Sequence, residues 1–99
     1  MQTELEFEWD TIKAETNIRK HGISFEIAAR VFDDPYHIAC QDRVENGEYR
    51  WQTLGSVSGY LIVLVAHTVR FEQGTEIVRI ISARSATRNE RRRYEQSQI

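Results

Sequence analysis

Residues 60–69 read YLIVLVAHTV and residues 76–83 read EIVRIISA, separated only by Arg70 and the turn segment FEQGT. Both are rich in β-branched and aliphatic side chains, and both are far too short to cross a bilayer as helices. A strand apolar at nearly every position belongs in the interior of a sheet, so the first run predicts a central strand. A connection of a few residues predicts antiparallel neighbours. Whatever else this chain forms, it must cover such a sheet.

The remaining elements supply the cover. LEFEW alternates Leu5, Phe7 and Trp9 with Glu4, Glu6 and Glu8, the period of a half-buried strand with an acidic outer side. Asp10 is placed to cap a helix over 11–20, with Arg19, Lys20 and His21 complementing the dipole at its end and Gly22 as a left-handed stop. Ser24 caps a second helix over 25–32, whose Phe25, Ala28, Ala29 and Phe32 share one side. DDP ends it, because Pro35 biases its predecessor out of the helical region. YHIAC reads as a strand and DRVENGE as a turn reversing at Asn46-Gly47. YRWQTLGSV is the next strand, with Ser58-Gly59 turning after it. Thr87 and Glu90 form a capping box for a last helix running to about Gln96. The predicted fold is α+β: two N-terminal helices and a C-terminal helix packed on a mainly antiparallel twisted sheet, in a single domain over 1–99.

Composition narrows the chemistry. A lone cysteine, Cys40, excludes an internal disulfide, suggests a reducing compartment and reads as a small buried hydrophobe. The amino terminus has neither a basic start nor an apolar core of the secretory kind, so the expected location is cytoplasmic, with no membrane contact. His21, His37 and His67 lack close ligand spacing and no glycine-rich loop is present, so neither a metal nor a cofactor is expected.

The formal net charge is −2, yet residues 1–50 carry 6 basic and 11 acidic groups while residues 51–99 carry 7 basic and 4 acidic. Five of the basic groups, Arg84, Arg88, Arg91, Arg92 and Arg93, fall within ten residues. Arg88, Arg91 and Arg92 share one side of the last helix, and Tyr94 flanks it. One reading is a solvated helix face. The other is a phosphate-holding surface, since guanidinium groups match phosphate oxygens and tyrosine stacks on an unstacked RNA base. One polar residue interrupts each apolar strand: His67 in the first and Arg79 in the second. Arg79 needs either a carboxylate partner or an opening toward an anion. His67 suits proton transfer during attack of a ribose hydroxyl on phosphate, with arginines steadying the developing charge. That scheme requires His67, Arg79 and Arg84 to meet over one phosphodiester.

Three segments, FEWDTIKAETNIRKHGISFEIAARVFDDP, RWQTLGSVSGYLIVLVAHTVR and RIISARSATRNERRRYE, together resemble the BrnT family of bacterial toxins over about residues 6–95. The resemblance rests on Trp9, Asp10, Ala14, Asn17, Lys20, His21, Gly22, Ser24 and Phe25. It continues through Arg50, Gly55, His67, Thr68 and Arg70, then Arg79, Arg84, Thr87, Glu90, Arg91 and Tyr94. It implies a RelE-like fold and a metal-independent endoribonuclease that cleaves RNA and inhibits translation. Its implied partner is a BrnA-like antitoxin with a ribbon-helix-helix DNA-binding domain, in a toxin2-antitoxin2 heterotetramer that touches DNA only through the antitoxin. Carried over by role, His67, Arg79, Arg84 and Tyr94 are the expected catalytic residues. Lys20, His21, Arg50, Arg88, Arg91 and Arg92 are the expected RNA contacts. A non-catalytic nucleic-acid-binding module and a structural partner protein remain as alternatives.

Overall fold

The computed structural model describes residues 4–98. The two ends, to which the single-domain expectation 1–99 extends, lie outside the described residues. The alternating segment forms strand β1 (Glu4–Glu8), and helix α1 spans Thr11–His21. Asp10 caps α1 by accepting from the Lys13 backbone N–H at 3.0 Å. Gly22, at φ 71°, closes it by donating to the Ile18 carbonyl at 2.8 Å. Helix α2 is only Phe25–Ala29, capped by Ser24, and tightens into a 3-10 turn over Arg30–Asp33. The expected helix to Phe32 is therefore one α turn finished by a 3-10 turn, a common way to end a helix ahead of proline.

Four strands follow, β2 (Ile38–Glu45), β3 (Glu48–Val57), β4 (Leu61–Glu72) and β5 (Thr75–Ser85), and then helix α3 (Arg88–Gln96). The segment DRVENGE is not all turn. Pairing of β2 with β3 continues to Glu45↔Glu48, leaving Asn46-Gly47 alone to reverse the chain, both at positive φ. A bulge at Asp42, where the register shifts between Gln41 and Arg43, lets this polar stretch stay in the ladder.

The sheet order is β1-β5-β4-β3-β2, so β4 is central as its sequence demands. The three hairpin pairings are antiparallel, while β1 lies parallel to β5. One face carries the main core, where Phe25, Ala28 and Val31 pack on Val63, Val65, Val78 and Ile80. Gly55 makes that approach possible: a Cβ there would stand 2.6 Å from Val31 Cγ1. The other face is covered only in part, by Tyr94 of α3 on Leu54, Ile62 and Leu64.

Strand β1 pairs with β5 only over 75–79, which leaves the upper edge of β5 without a strand partner. Buried Asn17 takes that place. Its amide donates to the Ala83 and Ile23 carbonyls, each at 2.8 Å, and accepts from the Ala83 N–H at 3.1 Å. A primary amide copies the donor and acceptor of a peptide, so one side chain ties α1, the following loop and β5 together.

Candidate nucleic-acid interface

Neighbouring residues of a strand point to opposite faces. His67 lies opposite Trp51 and Ile80, and Thr68 lies opposite Arg79. His67 therefore joins Val63 and Val65 on the face under the helices. Arg79 and Arg84, paired with Thr68 and Leu64, lie on the other face. A five-stranded sheet separates the histidine from the guanidinium groups it was expected to work with.

The local partners agree. His67 is 3% exposed. Its Nε2 is 2.7 Å from Thr53 Oγ1, and its ring stands edge-on to Phe32 at 5.0 Å. Burial lowers its pKa to about 4, so it is neutral and enclosed at neutral pH. Tyr94 is also buried, its hydroxyl donating to Asp34, and that burial together with the bond raises its pKa to about 12. Arg84 forms a two-pronged pair with Glu90 at 2.7 and 3.0 Å, and Arg79 donates to Glu8 at 3.1 Å. The four expected catalytic residues do not converge. His67 and Tyr94 are held in packing, and each arginine has a carboxylate.

Those carboxylates are held ionised. Arg70 and Arg79 together bring Glu8 down to about 2, the Arg70 hydrogen bond being the largest cause. The Arg84 fork, with the Thr87 N–H, does the same for Glu90. Neither is a useful proton acceptor near neutrality. Both arginines stay partly open, with side chains 44% and 39% exposed for Arg79 and Arg84. Their outer edges still present charge to the surface.

Arg50 shares the face of Arg79 and Arg84, by its step from Gln52 and Leu54 along β3. Its Nε has no hydrogen-bond partner among the described residues, with the Glu45 carboxylate 3.9 Å away. Beyond this half of the sheet, Arg88, Arg91 and Arg92 are exposed on α3 around a shallow hollow shared with Glu95. Lys20 and His21 are exposed at the end of α1. They line a hollow of about 280 Å³ with Lys13 and Ser82, where Arg84 follows two residues later on the same side of β5. All six expected RNA contacts are thus at the surface or at its margin, on the side of the sheet that α3 leaves open or at its edge.

Two carboxylates, Asp34 and Glu8, also build the site. Asp34, read only as a helix end, accepts from Tyr94, from the Ser56 N–H at 2.8 Å and from the Tyr36 N–H at 2.9 Å. Partial burial pushes its pKa up, but these bonds outweigh it and hold the carboxyl below its usual range. The signal was present in Asp34-Pro35-Tyr36, since Asp before Pro favours a turn in which its side chain bonds the backbone two residues on. Glu8 carried no such signal, because its arginine partners are 62 and 71 residues away. Cys40, expected inside, is exposed on edge strand β2. No group of three or more histidine, cysteine or acidic residues with metal-holding geometry occurs among the described residues. No helix among them is long and apolar enough to cross a membrane.

The sequence model of the BrnT ribonuclease toxins of type II toxin-antitoxin systems matches residues 9–90. The chain belongs to the BrnT family. The crystal structure of the Brucella abortus ribonuclease toxin BrnT is similar to it, at 29% identity and a TM-score of 0.58, with 87% of this chain and 100% of that one covered. No curated protein matches. Membership of the BrnT family makes this chain a toxin-antitoxin ribonuclease with an antitoxin partner.

Proposed function

We propose that the chain is a cytoplasmic endoribonuclease of RelE-like kinship, a single domain over 1–99, that needs no metal and stops translation by cutting RNA held across the open arginine face. The observation that carries the site is the gathering of Arg50, Arg79 and Arg84 on the side of the sheet away from α1 and α2. Arg50, Arg79 and Arg84 would contact the phosphodiester, and Arg88, Arg91 and Arg92 the flanking strand. His67 and Tyr94 leave the catalytic set and become structural.

Proton transfer then falls to His21, the exposed histidine in the hollow with Lys20 and Ser82. The ribose 2′-hydroxyl attacks the adjacent phosphorus while the imidazole takes its proton. The P–O bond to the 5′-oxygen breaks to leave a 2′,3′-cyclic phosphate, the departing 5′-oxygen takes a proton from water, and the arginines steady the charge on the non-bridging oxygens. A BrnA-like antitoxin with a ribbon-helix-helix domain, in a toxin2-antitoxin2 assembly that alone contacts DNA, completes the proposal. Family membership supports the antitoxin in general, and the resemblance supports its type.

A non-catalytic binding module is the second reading, favoured by the carboxylate partners of Arg79 and Arg84. One experiment separates them. Purified chain is added to labelled RNA with and without ribosomes in magnesium buffer, and the ribosome-free reaction is repeated in EDTA. His21→Gln and Arg84→Ala are expected to lose cleavage while keeping fold, and His67→Gln to retain it. RNA left intact by the unmutated chain under both conditions overturns the enzyme.

A further inference from the structure

The helices cover only part of their own face of the sheet. Toward the β2–β3 and β4–β5 hairpin tips lies a groove of about 640 Å³ that the proposed RNA site does not use. Phe32 and Trp51 wall it, Thr53 and His67 form its buried floor, and Tyr49 and Phe71 stand at its rim. Tyr49 is 59% exposed and Phe71 68%, and Leu5 and Val44 extend the bare apolar surface on the same face. Large aromatic side chains left open around a concave site mark a place where another molecule sits.

The charge around the groove selects the occupant. Glu48 and Glu76 line it, and neither has a cationic partner among the described residues. Arg70, at its edge, is already taken: it donates to both Glu8 oxygens at 2.8 Å and to Glu72 at 2.9 Å. An RNA strand would bring phosphates against uncompensated carboxylates. A second copy docked about a two-fold axis would bring the same lining, whose one arginine is already paired with Glu8 and Glu72. A peptide with apolar anchors and flanking lysine or arginine fits both features.

We propose that this groove is the docking surface for a basic, amphipathic segment of the antitoxin, on the side of the sheet opposite the arginine face. The inference rests on the chain having an antitoxin partner, as its family implies. It does not depend on which residues cut RNA. Apolar side chains of the segment fill the space between Phe32, Trp51 and Phe71, and its cations answer Glu48 and Glu76. The hold on the toxin and the contact with RNA are then separable properties of two faces.

The test titrates the purified chain with its cognate antitoxin, by calorimetry, for the unmutated protein, Phe71→Ala and the double variant Glu48→Lys/Glu76→Lys. These side chains are exposed or at hairpin tips, and urea midpoints verify folding. Each variant is expected to bind antitoxin about 30-fold more weakly or worse, the loss typical of an interface anchor, and to cut RNA at the unmutated rate. Hydrogen exchange on the unmutated complex should show new protection at 44–51 and 69–76, a readout that needs no variant. Unchanged affinity with no protection there overturns the groove while leaving the ribonuclease reading intact. So does weakened self-association or RNA binding in place of antitoxin binding. No binding by the unmutated chain overturns the partner as well. Absent cleavage with groove-dependent antitoxin binding overturns only the enzyme.

Discussion

His67 stands on the core face, where its alternation with the apolar residues of β4 puts it, buried and turned away from Arg79 and Arg84. Its alternation with Leu61, Val63 and Val65 was visible in the sequence, and aliphatic neighbours on both sides of a histidine describe a core position. What the sequence did not show was the helix edge, Phe32, that closes over it. Its ordinary pKa of 6.5 falls to about 4 on folding, chiefly through burial. Between those values the unfolded chain binds the proton that the folded chain refuses. Stability is therefore full above pH 6.5 and is lost as pH falls toward 4. The loss expected between pH 7.5 and 5 is about 2 kcal/mol. Urea midpoints at the two pH values measure it, and His67→Gln should flatten the dependence. Glu8 and Glu90, held near 2 against 4.5 when unfolded, add their own loss mainly below pH 4.5, where the unfolded carboxylates take up protons, and little within that window. An equal slope in the variant would place the titrating group elsewhere.

At the scale of elements, the caps were the most legible feature, because each is local: Asp10, Ser24 and the Thr87–Glu90 box all form as their spacing suggests. The extent of β2 was not legible, since polar residues on an edge strand resemble a turn until pairing with β3 is known. Helix α3, with its arginine surface, depends on two fixings, the local Arg84–Glu90 fork and the long-range Tyr94–Asp34 bond. Tyr94→Phe removes the second and should cost about 1–2 kcal/mol in urea denaturation, leaving RNA cleavage near the unmutated rate. Lost cleavage at unchanged stability would return Tyr94 to the catalytic set. Packing of the 3-10 turn on β3 has its own probe. Gly55→Ala forces a methyl onto Val31 and should destabilise by about 1–3 kcal/mol, since the backbone carbonyl of Val31, 2.9 Å from the added carbon, cannot yield as a side chain can.

For the whole molecule, the decisive fact was the parallel pairing of the first strand with the last, which no local pattern announces. It sets Glu8 against Arg79, and it fixes which surfaces carry charge of which sign. The two halves of the sequence meet at the β1 edge, where Glu8 pairs with Arg70 and Arg79, while Arg88, Arg91 and Arg92 stand exposed on α3. Overall charge of −2 then says little about RNA affinity, because a strand on the arginine face meets the local field, not the sum. Each phosphate neutralised on single-stranded RNA lowers the slope of log K against log salt by about 0.7. Arg88, Arg91 and Arg92 are exposed and make no ion pair among the described residues, so each is free to take a phosphate. The triple alanine variant should bind short RNA with a slope about 2 units shallower. Arg79→Ala should change the slope less, since Glu8 already compensates part of that charge. Fluorescence anisotropy across a salt series measures both. A triple variant with an unmodified slope would mean that RNA lies on the sheet alone and that the helix arginines serve only to keep α3 solvated.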